Sequence, residues 1–402
     1  MKRILDVLKR LGPGLITASV VIGPGSIVAA SRAGAEGGYR LLWLVGFSAL
    51  LMGVYASMGA RLGCALDVTP LQYVARRAGR PLAVLTGLSA FLVTAGFQFG
   101  NNMGVAFAAQ GLVGAPQYAW IWPIVFTVLA LLFLHTASRV YVAIERLMMV
   151  LVAIMILCFF ANLFWTGLDL PRLMWGLVPQ MGRNDLMFVR AIVPTTFSAV
   201  AAFYQAYLVQ AKGWQRNQIR RAIADSWIGI LAVTLISASI LAGAAETLHG
   251  TDETVGSVGQ LALILRKLLG PAAGLVFCLG LGAAAFSSFI VNAVIGGSLL
   301  ADGLGLDGRI NSRPVRLLAS VVMLIGCGVA VGAFAWGAGT TTSLLLAQAS
   351  TLIAAPLCAL ILLVLSSRGS TMGGLKNGLV TTILGIAGLV VILALGIMWA
   401  LD

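Results

Sequence analysis

The chain has 402 residues, 60% of them apolar and only 10% charged, with a mean hydropathy of +1.00. Soluble domains carry roughly a quarter charged residues, so this composition excludes a soluble enzyme, a nucleic-acid-binding domain and a disordered chain, and leaves a polytopic membrane protein with little mass outside the bilayer. The net charge of +13 reads as basic loops at the inner membrane surface; the expected partners are the lipid bilayer and a small-molecule or ion substrate, with no nucleic acid and no cofactor.

A helix needs about 20 apolar residues to cross a bilayer. Eleven segments qualify: 14–34, 40–63, 82–112, 120–138, 141–166, 188–211, 222–245, 270–301, 315–335, 341–366 and 378–400. The opening MKRILDVLKR is basic and is expected to be a cytoplasmic tail over 1–13 rather than a signal peptide. Span 1 is interrupted at its middle by Gly23-Pro24-Gly25-Ser26. After span 2, Thr69-Pro70 reads as a helix start and Gly79 as a stop. Leu71, Val74 and Ala78 share one face, with Arg76, Arg77 and Arg80 toward the headgroups, so a short helix on the membrane surface is expected. Span 6 is interrupted at Pro194-Thr195-Thr196-Phe197-Ser198-Ala199. Cys64, Cys158, Cys278, Cys327 and Cys358 lack metal-ligand spacing and read as buried apolar residues. With the N-terminus inside, nineteen of the 26 Lys and Arg fall on inner loops, which places the N-terminus in the cytoplasm of a bacterial inner membrane. An odd number of spans then puts Asp402 outside.

Pro removes a backbone donor and Gly is a poor helix former, so both interrupted spans should break. Freed backbone groups at membrane depth are tolerated where they line a cavity, and in transporters such breaks form the substrate site. Five spans separate the two breaks. The chain therefore reads as a single membrane domain over 1–402, with repeat 1 over 14–166 (spans 1–5), an inverted repeat 2 over 188–366 (spans 6–10) and span 11 over 378–400.

The run GPGLITASVVIGPGSIVAASRAGAEGGYRLLWLV at 12–45 resembles the opening of the NRAMP divalent-metal transporters. Further along, Ala60-Arg61-Leu62-Gly63 follows the family apart from Cys64. Glu145-Arg146, Tyr207-Leu208-Val209-Gln210, Ser287-Ser288, Gln348, Pro356 and Met372-Gly373 match it in order and spacing. The resemblance implies an all-α LeuT-type fold, that of the amino acid–polyamine–organocation superfamily: eleven transmembrane helices, a 5+5 inverted repeat plus one, and helices 1 and 6 broken at mid-membrane. It implies a transporter, not an enzyme.

The departures from the family bear on the cargo. Where the resemblance implies a metal-binding aspartate and asparagine in span 1, this chain has Gly23 and Ser26. Where it implies a methionine and two histidines in span 6, Ser198, Val200 and Gln205 stand. Where it implies an acidic pair on a proton path in span 3, Gln98 and Asn101 stand. Soft divalent metals favour imidazole or sulfur, and proton relays use intramembrane acids or histidines. Glu36, Glu145, Asp225, Glu246, Asp302, His135 and His249 all fall near span ends. The expected substrate site is therefore neutral and polar: Gly23, Gly25, Ser26, Gln98, Asn101, Thr195, Ser198, Gln205 and Gln348, with Asn102, Thr196 and Tyr204 nearby and no metal ligand set. The expectation is an NRAMP-related secondary transporter with an altered metal-binding site, working by alternating access on a small polar or organic solute, and not a proton-coupled transition-metal transporter. The alternatives are a partly hydrated divalent cation, Mg²⁺ or Mn²⁺, carried without protons, and a non-transporting membrane receptor or scaffold.

Overall fold

The computed structural model describes residues 12–401 other than 115, 183–184, 252–254, 257 and 337–339; the side chains of 116, 258, 336, 340–352 and 400 also lie outside the description. The first pass is two short helices, α1 (Pro13–Val21) and α2 (Pro24–Gly37). Pro24 offers no N–H, and Gly23 is extended at φ −126° and ψ −179°, so the chain stops being helical at Ile22 and Gly23 and restarts on a proline-led first turn. A 3-10 turn, Gly38–Leu41, leads into α3 (Leu42–Ala65). The expected surface helix is α4 (Pro70–Ala78), ended by Gly79 at φ +94°. Leu71 and Val74 are buried, while Ala78 joins Arg76 and Arg77 on the exposed side.

The next passes are α5 (Arg80–Val113), α6 (Ile121–Thr136) and α7 (Val140–Thr166), followed by the short connecting helix α8 (Leu170–Gly176). The second broken pass is α9 (Leu186–Thr196) and α10 (Ala199–Lys212), interrupted at Phe197 and Ser198. Then come α11 (Ile219–Leu248), the connector α12 (Val258–Leu269), α13 (Pro271–Leu304), α14 (Arg313–Trp336), α15 (Thr340–Ser367), a single turn α16 (Gly369–Met372) and α17 (Leu379–Ala400). Among the described residues, eight helical stretches are long and apolar enough on their own to cross a membrane. The eleven-pass reading differs because Pro24–Ala65 counts there as one stretch, Ile121–Thr136 is short, and the C-terminal part of α15 is bent by 72° from the turn after it.

Without a hydrophobic drive between helices in lipid, close packing holds a bundle together, and small residues permit it. A Cβ on Gly59 of α3 would sit 2.2 Å from the Ala202 carbonyl oxygen of α10. A Cβ on Gly87 of α5 would sit 2.4 Å from that of Leu299 on α13, and one on Gly229 of α11 would sit 2.1 Å from that of Gly14 on α1. These contacts press the broken helices against α3 and α11, and bring α5 and α13 together. Exposed apolar side chains such as Phe164, Leu379 and Val380 cover the outside, as a lipid-facing surface requires.

Candidate functional site

At the first break, the Ser26 hydroxyl accepts from the Gly23 N–H at 2.9 Å and donates to the Gly23 carbonyl at 2.8 Å. The Ile27 N–H bonds the same carbonyl at 3.1 Å. Among the described residues, the N–H groups of Gly25 and Ser26 at the start of α2 have no acceptor. Gly25 is exposed, and a Cβ there would meet nothing within 4 Å. The carbonyls at the end of α1 are treated differently. Ser287 of α13 donates to the Ser19 oxygen at 3.2 Å and Ser288 to the Val20 oxygen at 2.9 Å. The break thus caps two of its acceptors, the Ser19 and Val20 carbonyls, and leaves the Gly25 and Ser26 donors open; the Val21 and Ile22 carbonyls also accept nothing among the described residues. A helix N-terminus carries partial positive charge, so the open end favours an acceptor or an anion.

Beside it lies a chain of amides. Gln98 donates through Nε2 to the Phe289 carbonyl of α13 at 3.1 Å, which turns its Oε1 inward. That oxygen accepts from Asn101 Nδ2 at 3.3 Å and from Asn292 Nδ2 at 3.2 Å. Asn292 also donates to the Thr94 carbonyl at 2.7 Å, and Asn102 to the Gln98 carbonyl at 2.9 Å. Each amide donor is matched to an acceptor, as burial demands. Because Asn101 gives its nitrogen to Gln98, its Oδ1 faces the break, 3.6 Å from where a Gly23 Cβ would stand. The same Cβ position lies 3.1 Å from Ser288 Oγ.

At the second break, Ser198 caps α10, its hydroxyl accepting from the Ala201 N–H at 3.3 Å. Thr195 bonds back to the Ala191 and Ile192 carbonyls at 2.9 and 3.0 Å. Gln205 is fully buried; it accepts from Thr17 of α1 and donates to Ser226 of α11 at 2.9 Å, joining three helices. The structure therefore brings Gly23, Ser26, Gln98 and Asn101 together at one place, leaves Gly25 beside open space, and gives Thr195 and Gln205 partners within the fold. The Gln348 side chain lies outside the described residues. Asn292 is a hub that sequence reasoning passed over; an amide inside the apolar run of α13 was the available signal.

Of the acids near span ends, Glu145, Asp225 and Asp302 are buried, Glu246 is half-buried and Glu36 is exposed. Asp225 of α11 accepts from the Gly12 and Gly14 amides at 2.8 and 2.6 Å, capping the start of α1. Glu145 pairs with Lys212 beside it. On the same face, Asp302 at the end of α13 accepts from Tyr207 and Thr69 hydroxyls, each at 2.6 Å, and from the Leu71 and Gln72 amides at 3.0 and 3.3 Å. One turn deeper, Tyr204 and Ser298 hydroxyls bond at 3.1 Å. A cavity of about 1250 Å³ opens on this face and reaches Tyr207 and Asp302. Its lining carries Asp67, Asp302 and Asp307 beside Arg76, Arg216 and Arg309, and Asp307 pairs with Arg309. The Arg309 guanidinium bonded to Asp307 holds that carboxyl below the usual carboxylate range. The two histidines bond locally, His135 to Ser320 and His249 to the Ala35 carbonyl, each at 2.9 Å.

The family model described as "Natural resistance-associated macrophage protein-like" (Nramp) matches residues 14–402. The chain belongs to the Nramp family. A relative in Deinococcus radiodurans named "Divalent metal cation transporter MntH" is 26% identical, over 98% of this chain and 90% of that protein. The Eremococcus coleocola manganese transporter superposes with a TM-score of 0.83 at 20% identity, covering 97% of this chain and 86% of that one. MhsT in complex with L-phenylalanine superposes at 0.64 and 16% identity, covering 96% and 97%. As an Nramp protein, the chain is an integral membrane transporter of LeuT-type fold and not an enzyme.

Proposed function

We propose that this Nramp-family transporter carries a small polar or organic solute that presents a hydrogen-bond acceptor, by alternating access around its two helix breaks. The observation that carries this reading is the polarity of the first break: the Ser19 and Val20 carbonyls are capped by Ser287 and Ser288, while the Gly25 and Ser26 amides are open. Stripping water from a divalent cation calls for oxygen, imidazole or sulfur ligands, whereas open helix amides suit an acceptor. The acid, thioether and two imidazoles that the resemblance implies are replaced by Gly23, Ser198, Val200 and Gln205. The same replacements at Gln98 and Asn101 argue against proton coupling. The excess of basic residues on the α1 face supports a cytoplasmic N-terminus and an external C-terminus. In that orientation the cavity below Tyr207 is the cytoplasmic vestibule, sealed from the break by the Tyr207–Asp302 and Tyr204–Ser298 bonds.

A second reading, a partly hydrated Mg²⁺ or Mn²⁺ carried without protons, is favoured by Asn101 Oδ1 facing Gly23 and by the relatives' names. A thermal-shift screen of the purified protein against divalent metals, small organic acids and amines separates the two, because a selective ligand raises apparent stability. Stabilisation by carboxylates supports the first reading; stabilisation by divalent cations alone overturns it.

A further inference from the structure

We propose that the cargo is a zwitterion with its amino and carboxylate groups on neighbouring atoms, the chemistry of a small amino acid. This rests on the reading above that the cargo presents an acceptor to the start of α2. The open amides of Gly25 and Ser26 form one pole of the site. The other is Asn101, which is only 5% exposed. Its Nδ2 is committed to Gln98, and its Oδ1 has no donor among the described residues. The orientation of that oxygen is fixed from outside the site: the Phe289 carbonyl claims Gln98 Nε2, Gln98 Oε1 claims Asn101 Nδ2, and the oxygen is left toward Gly23. Asn101 Oδ1 is thus an acceptor that a ligand or water can supply with a donor.

Gly23 and Gly25 are two residues apart, at most about 7 Å of chain, so one head group reaches both poles. Among the described residues, no charged side chain bonds to any group at the break. A net charge buried there would lack a counter-charge, whereas a zwitterion brings its own. Its carboxylate meets the start of α2 and its ammonium meets Asn101 Oδ1.

The test compares glycine, acetate and methylammonium as probes of the purified full chain, by calorimetry and thermal shift, with MgCl₂ and MnCl₂ as further arms. Glycine should bind about tenfold or more tightly than acetate, the worth of one charge-assisted hydrogen bond, and methylammonium should bind more weakly still. Asn101→Leu should reduce glycine to the level of acetate, and Asn101→Asp should shift the preference toward methylammonium. If the variants fail to fold, the three-probe comparison on the native chain decides. Acetate binding as tightly as glycine overturns the zwitterion and leaves the acceptor cargo standing. Stabilisation by the divalent salts alone, or by none of the probes, overturns both.

Discussion

A single added carbon separates two kinds of glycine in this protein. At Gly59 it would stand 2.2 Å from a backbone oxygen that cannot turn aside, and at Gly25 it meets open space. Gly59→Ala should therefore cost about 1–3 kcal/mol, and Gly25→Ala should stay within about 1 kcal/mol of the native protein, both read by thermal unfolding in detergent. Gly23 is intermediate, since its Cβ would stand 3.1 Å from Ser288 Oγ and 3.6 Å from Asn101 Oδ1. Gly23→Asp should fold but place a carboxylate beside the acceptor cargo, weakening the binding of carboxylate probes by about tenfold or more; unchanged affinity in a titration would put the site elsewhere. From the sequence, the resemblance implies that Gly23, Gln98 and Asn101 stand where the family has acids and Ser26 where it has an asparagine. The direction of the Asn101 oxygen is not legible there, because it is set by a carbonyl 191 positions from Gln98. Gln205 illustrates the same limit: whether an intramembrane amide meets cargo or joins helices depends on which helices close around it.

Both breaks are readable from Gly and Pro at membrane depth, and the structure interrupts both passes within the expected segments. The connections around α4 are harder to read. Thr69 has the composition of an N-cap, yet its hydroxyl goes to Asp302, and that carboxylate also takes the first free amides of α4. Asp302 and Asp225 lie near span ends in the sequence and prove to be the partners that helix starts require. Asp225 plays this part for α1. Asp225→Asn retains one carbonyl oxygen for two amides, so it should lower stability by roughly 1–3 kcal/mol. A cysteine placed at Ser26 should also react faster with a thiol reagent supplied at the α1 face, since α1 is then held less firmly. Equal labelling rates in the two proteins would show that Asp225 does not hold this face closed.

At the scale of the whole molecule, the fold is shared with metal transporters, and the proposed cargo differs from theirs. Reconstituted vesicles should therefore show no Mn²⁺ uptake with accompanying acidification at micromolar metal; observing both would refute the proposed loss of proton-coupled metal transport. The capping of α1 by Asp225 also has a consequence in time. Nine residues of helix rise only about 13 Å, less than half of a bilayer core of about 30 Å, so α1 cannot settle in lipid as an independent membrane anchor. The carboxylate that satisfies its first amides lies 211 positions further along the chain. At a synthesis rate of about 5–20 residues per second, the start of α1 waits roughly ten to forty seconds for its partner. The start of α1 thus stays without its cap until synthesis has passed Asp225, beyond the second helix break.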